Sequence, residues 1–127
     1  MFKRIDHVAM MTANTQATVD FYTNVLGFSL KDRTRITNSA PVNEIIFLQL
    51  GDTNLKIIGV DQASPPAPDP WQCSYKRISI QVDNMTEAVS FLKSKGVKMT
   101  LEPSPTSAVK RAEFTDPNGL QIELRQW

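Results

Sequence analysis

The sequence predicts an α+β fold built from two βαβββ modules, and three observations carry that expectation. The chain repeats itself: IDHVAMMTANTQATVDFY (5–22) and YKRISIQVDNMTEAVSFL (75–92) both pass from an alternating apolar strand into a helix. Val19 and Phe21 of the first copy align with Val89 and Phe91 of the second, at a constant offset of 70. Each helix is then followed by three strand-like runs. Between the copies lies ASPPAPDPW (63–71), which holds four of the eight prolines and therefore favours an extended linker over a helix. Two such half-size units, each too small to bury its own sheet face, are expected to pack as one domain over 1–127. The first module covers about residues 1–60, the linker about 61–74 and the second module about 75–127.

Each element has a local reason. In the first module, Asn14 or Thr15 can cap a helix with the stripe Thr18, Phe21, Tyr22, Val25 and Leu26, stopped by Gly27. Strands are expected at roughly 28–36, at IIFLQL (45–50) and at NLKIIGV (54–60), the last two joined by GDT. The second module opens on KRISIQVD (76–83), where Ile78, Ile80 and Val82 share one face and Arg77, Ser79 and Gln81 the other. Asn84 and Glu87 then form a capping-box-like start to a helix striped by Ala88, Phe91 and Leu92 and ended by Gly96. Strands follow at VKMTLEP (97–103), KRAEF (110–114) and LQIEL (120–124). The last two are joined by TDPNG, in which Pro117 presets φ and Gly119 tolerates positive φ.

Composition narrows the function. A net charge of +1, with no run of like charges, gives no electrostatic footprint for nucleic acid or an anionic membrane. No apolar run is long enough to span a bilayer, and MFKRIDH lacks a signal-peptide core. The single cysteine, Cys73, excludes an internal disulfide framework and fits a reducing compartment, so a cytoplasmic location is expected. There is no P-loop, no G-x-S-x-G and no C-x-x-C.

The combination of DHV near the start, FYTNVLGF (21–28) and FTDPNGLQIEL (114–124), on this internal repeat, resembles the vicinal oxygen chelate superfamily. That superfamily includes glyoxalase I, bleomycin-resistance proteins, fosfomycin-modifying enzymes and extradiol dioxygenases. The resemblance implies that the paired modules curl a mixed sheet into a cup with the helices outside, often completed in a homodimer. It also implies a divalent metal, held by one residue from the first and one from the last strand of each module. Carried onto this chain, those positions are His7 and Lys56 in the first module and Arg77 and Glu123 in the second. Strand parity supports the transfer, because Lys56 and Glu123 each alternate with apolar neighbours and so point away from the packed face.

Two of these four positions are basic. A protonated lysine or arginine offers a metal no lone pair, and two cations repel a dication. The first expectation is therefore a protein that holds no metal and binds a small anionic organic molecule. Arg77 would grip a carboxylate or phosphate and Lys56 would act as a point charge. Gln81 would read a polar group, and Met11, Phe47 and Trp71 would supply walls. If the site is catalytic, His7 and Glu123 are the candidate residues, His7 as general base. A second expectation is a metal-dependent lyase, isomerase or dioxygenase using His7 and Glu123, helped by Glu44, Glu113 or substrate. A third is an interaction protein whose cup is closed by an ion cluster of Lys56, Arg77 and Glu123.

Overall fold

The computed structural model describes residues 1–127. It divides into two compact units, Met1–Ser64 and Pro65–Trp127. The α+β expectation holds, since each unit is a mixed sheet with one helical segment.

The first unit runs β1 (His7–Thr12), α1 (Thr15–Asp20), β2 (Ser29–Ser39), β3 (Val42–Leu50) and β4 (Thr53–Val60), with sheet order β1-β4-β3-β2. Asn14 caps α1 by accepting from the Ala17 N–H, and the helix widens to π-type over Phe21–Val25 before Gly27, at φ 79°, ends it. Thr18, Val19 and Tyr22 are the helical residues most deeply buried, so the apolar stripe includes Val19, which its spacing did not single out. The core face of the sheet carries Met10, Ile46, Leu48, Leu55 and Ile57, all buried. Gly59 lets the start of α1 approach β4. A Cβ there would lie 2.6 Å from Thr15 Cγ2 and 2.8 Å from Asn43 Oδ1.

The second unit runs β5 (Ile78–Gln81), α2 (Met85–Ser94), β6 (Lys110–Thr115) and β7 (Gln121–Gln126), with sheet order β5-β7-β6. Asn84 caps α2 by accepting from the Glu87 N–H at 3.0 Å. The buried stripe is Met85, Val89 and Leu92, whereas Phe91 stays 47% exposed, with Lys95 Nζ 5.5 Å from its ring centroid. The expected strand at 97–103 does not form. Only Leu101 makes a bridge, to Glu113, and Pro103 and Pro105 have no N–H with which to extend the ladder. The TDPNG turn closes β6 onto β7 as its chemistry predicts: Asp116 Oδ1 accepts from the N–H groups of Asn118 and Leu120.

In both units the first strand lies parallel to the last, which is an interior strand of its sheet. Ala9 faces Lys56 in one, and Ser79 faces Glu123 in the other. Ala9 and Ser79 differ by the same 70 residues as His7 and Arg77, so the repeat seen in sequence is a repeat in register. The neighbour on the other side is Phe47 in the first unit and Glu113 in the second.

Candidate functional site

The face of the first sheet opposite its core is built by alternation. His7, Ala9 and Met11 of β1 share it with Asn54, Lys56 and Ile58 of β4 and with Ile45, Phe47 and Gln49 of β3. Phe47 therefore does stand beside Lys56. The His7 ring meets its edge at 5.6 Å between centroids, and Lys56 Nζ lies 5.9 Å from the Phe47 centroid. This surface is largely apolar, with one ammonium held near an aromatic ring and one imidazole. His7 Nδ1 lies 2.8 Å from Asp6 Oδ2, a hydrogen bond that holds the Asp6 carboxyl below its usual range. Beside them, Asn54 Oδ1 is buried with no hydrogen-bond partner. Met11 lies on this face and is well exposed.

The corresponding face of the second sheet is charged. Strand parity places Arg77, Ser79 and Gln81 with Arg111 and Glu113 of β6 and Gln121, Glu123 and Arg125 of β7. Glu123 is the centre of the network, with its side chain only 9% exposed. Its Oε1 accepts from Ser79 Oγ at 2.8 Å and its Oε2 from Arg111 Nε at 2.7 Å. Arg125 Nε stands 3.7 Å from Oε1, and Arg77 Nε only reaches 4.0 Å from Oε2. Burial alone would push the Glu123 carboxyl up. The Ser79 and Arg111 hydrogen bonds, with the Arg111 and Arg125 charges, overcome that and hold it below the ordinary value.

Glu113 is shared. Its Oε1 lies 2.5 Å from Arg111 Nη2 and 3.2 Å from Arg77 Nη1, while Arg77 Nη1 also donates to Gln121 Oε1 at 3.4 Å. Three guanidinium groups (Arg77, Arg111, Arg125) thus face two carboxylates (Glu113, Glu123), a surplus of one positive charge. Arg111, the residue closest to both carboxylates, was not among the expected site residues. Its signal was its alternation with Glu113 in KRAEF, combined with a register that could be counted out from the TDPNG turn.

Trp71 is in the segment between β4 and β5 and is 90% exposed. Glu44 is held by Arg33, whose Nε donates to its Oε2 at 2.6 Å.

A parallel first and last strand, repeated in two units of one helical segment each, defines a glyoxalase-type α+β fold. The chain belongs to the Glyoxalase/Bleomycin resistance protein/Dioxygenase superfamily, whose family model matches residues 4–124. Among solved structures it is similar to a glyoxalase family protein from Enterococcus faecalis, with TM-score 0.84, 30% identity and 98% of each chain covered. TnmS3, an antibiotic-binding protein from Streptomyces sp. CB03234, shares the fold at TM-score 0.73 and 20% identity, covering 98% of this chain and 96% of that one. Among curated proteins, a probable chloroplastic lactoylglutathione lyase of Arabidopsis thaliana is 28% identical over 96% of this chain, which spans 35% of that protein's length.

The fold family implies a divalent metal, and the donor set here does not fit one. Of the four positions, Lys56 and Arg77 have no lone pair to give. Both oxygens of Glu123 already accept hydrogen bonds, one of them from a guanidinium. No group of three or more His, Cys, Asp or Glu side chains gathers in a way that could hold an ion. No helix is long and apolar enough to cross a membrane.

Proposed function

We propose that the protein binds a small anionic organic molecule without a protein-held metal, as a single domain of two modules. The observation that carries this is the state of Glu123. It is the one acidic residue at the family's metal positions, and it is already bonded to Ser79 and Arg111 in a network with a surplus guanidinium. Arg77, 32% exposed, offers a carboxylate or phosphate a bidentate grip, with Gln81 on the same face. In the first unit, Lys56 lies beside Phe47 on the face that also carries Met11, so that face offers its own point charge and apolar surface to an organic anion. A cytoplasmic homodimer is the setting we propose, and the lone exposed thiol of Cys73 is compatible with it. The test is metal analysis of the purified protein, together with thermal stabilisation by small carboxylates and phosphate. Substoichiometric metal and a stabilisation that Arg77→Ala removes are the expected results. Near-stoichiometric divalent metal, or an unchanged response in Arg77→Ala, would overturn the proposal.

A second reading, an enzyme acting through His7, is favoured by the Asp6–His7 hydrogen bond. With Nδ1–H donating to the Asp6 carboxylate, Nε2 is left as the acceptor. Turnover of any small carbonyl or thioester substrate that His7→Gln abolishes, with the fold intact, would establish it.

A further inference from the structure

The two sheet faces occupy equivalent places in the repeat but carry different side chains, and two of the differences exchange isoleucines for guanidinium groups. Where the first unit has Ile45 opposite Ile58, the second has Arg111 opposite Arg125. Arg111 sits beside both carboxylates of its face. Its Nε bonds Glu123 at 2.7 Å, and its Nη2 is the nearer of two guanidinium groups to Glu113. Arg77 is left with the weaker share: 3.2 Å to a Glu113 oxygen that Arg111 already holds, 3.4 Å to Gln121 and 4.0 Å to Glu123.

From this we infer that Arg111 is a positioning residue that keeps Arg77 exchangeable. By holding Glu123 and most of Glu113, it leaves Arg77 paired loosely enough for an incoming carboxylate to take Glu113's place. The inference rests on the anion-binding reading above and deepens it. The ligand class is a small organic carboxylate, whose two oxygens match the planar guanidinium fork. Glu113 acts as the internal competitor that the ligand displaces. No covalent step is involved. The exchange replaces one Arg77–carboxylate pair by another, and Glu113 keeps its bond to Arg111.

The expected pattern of substitutions is unusual in sign. Glu113→Gln removes the competitor and should tighten binding of benzoate about two- to fivefold, the size expected for one partly exposed ion pair. Arg111→Ala touches no ligand, yet it should weaken benzoate binding at least as much, because the freed carboxylates then capture Arg77. Adding Glu123→Gln to Arg111→Ala should restore most of that loss, which a merely structural role for Arg111 would not allow. Arg111→Lys keeps the charge but cannot bond both carboxylates, and it should shift affinity in the same direction by less.

The measurement is calorimetric titration of sodium benzoate, with inorganic phosphate as the comparison anion, into each variant after far-UV circular dichroism has shown a native fold. If wild-type protein binds neither probe, the anion-binding reading fails and the inference with it. If wild type binds benzoate but Glu113→Gln weakens binding or leaves it unchanged, the exchange alone is refuted. The same holds if the double variant recovers nothing. Should Arg111→Ala not fold, the Glu113→Gln and Arg111→Lys results decide.

Discussion

The bond between Arg111 and Glu123 gives the most quantitative expectation about stability, and it is accessible through Arg111→Met and Glu123→Gln made singly and together. At 2.7 Å the gross attraction in a partly buried site, at an effective dielectric of about 20, is roughly 6 kcal/mol. Most of that is offset by desolvating a carboxylate whose side chain is only 9% exposed. Charge-assisted hydrogen bonds contribute about 1.5–3 kcal/mol net. One end here is a third exposed to water, so a coupling of about 1–2 kcal/mol is expected at neutral pH. In a chain of 127 residues this corresponds to about 3–8 °C in Tm.

The pH dependence follows in sign. The folded Glu123 carboxyl is depressed below its ordinary value of 4.5, so its contribution is fully present above that value and is lost as pH falls through the folded one. Urea unfolding of the four proteins at pH 7 and near pH 3 measures the coupling directly. A coupling below about 0.3 kcal/mol at pH 7, or one of equal size at both pH values, would refute the picture of Glu123 as an ionised, guanidinium-held carboxylate.

Three further expectations concern the scaffold. Leu92→Ala should cost about 2–4 kcal/mol because Leu92 is buried under α2, whereas Phe91→Ala, at a half-exposed position, should cost less than about 1 kcal/mol; chemical denaturation of both checks the phase of the helix. Gly59→Ala should destabilise by about 1–3 kcal/mol, since its Cβ would collide with Thr15 Cγ2; Thr15→Ser, which lacks that methyl, should recover part of the loss in the same assay. Asn84→Ala should cost about 1 kcal/mol through loss of the bond to the Glu87 N–H, and thermal unfolding would show no change if the cap contributes nothing.

Much of this arrangement was legible in residue order. The offset between His7 and Arg77 survives as equivalent strand positions, because both units pair their first strand in parallel with their last. Alternation alone set Lys56 and Glu123 on the face opposite the core. Phe47 could not be placed from a run as uniformly apolar as IIFLQL, in which parity has no polar residue to anchor it until Gln49; its pairing with Lys56 decides the matter. The helix stripe was set one residue out of phase at Phe91 because its two aromatic copies, Phe21 and Phe91, suggested a buried position that only neighbours in space could deny. The 97–103 segment had strand-like alternation, but partners, not propensity, make a strand, and only Glu113 pairs with it. Arg111 was hidden for a related reason. A basic residue on a polar face is unremarkable until the register shows it beside two carboxylates.

In the proposed site a small anion is held by side chains and not through a protein-bound metal. The most direct measurement is the thermal stabilisation given by benzoate before and after exhaustive treatment with a chelator, with zinc, nickel or manganese added back. The same stabilisation is expected in all conditions, and Arg77→Ala should reduce it in each. Stabilisation that disappears on chelation and returns with the metal would contradict that expectation.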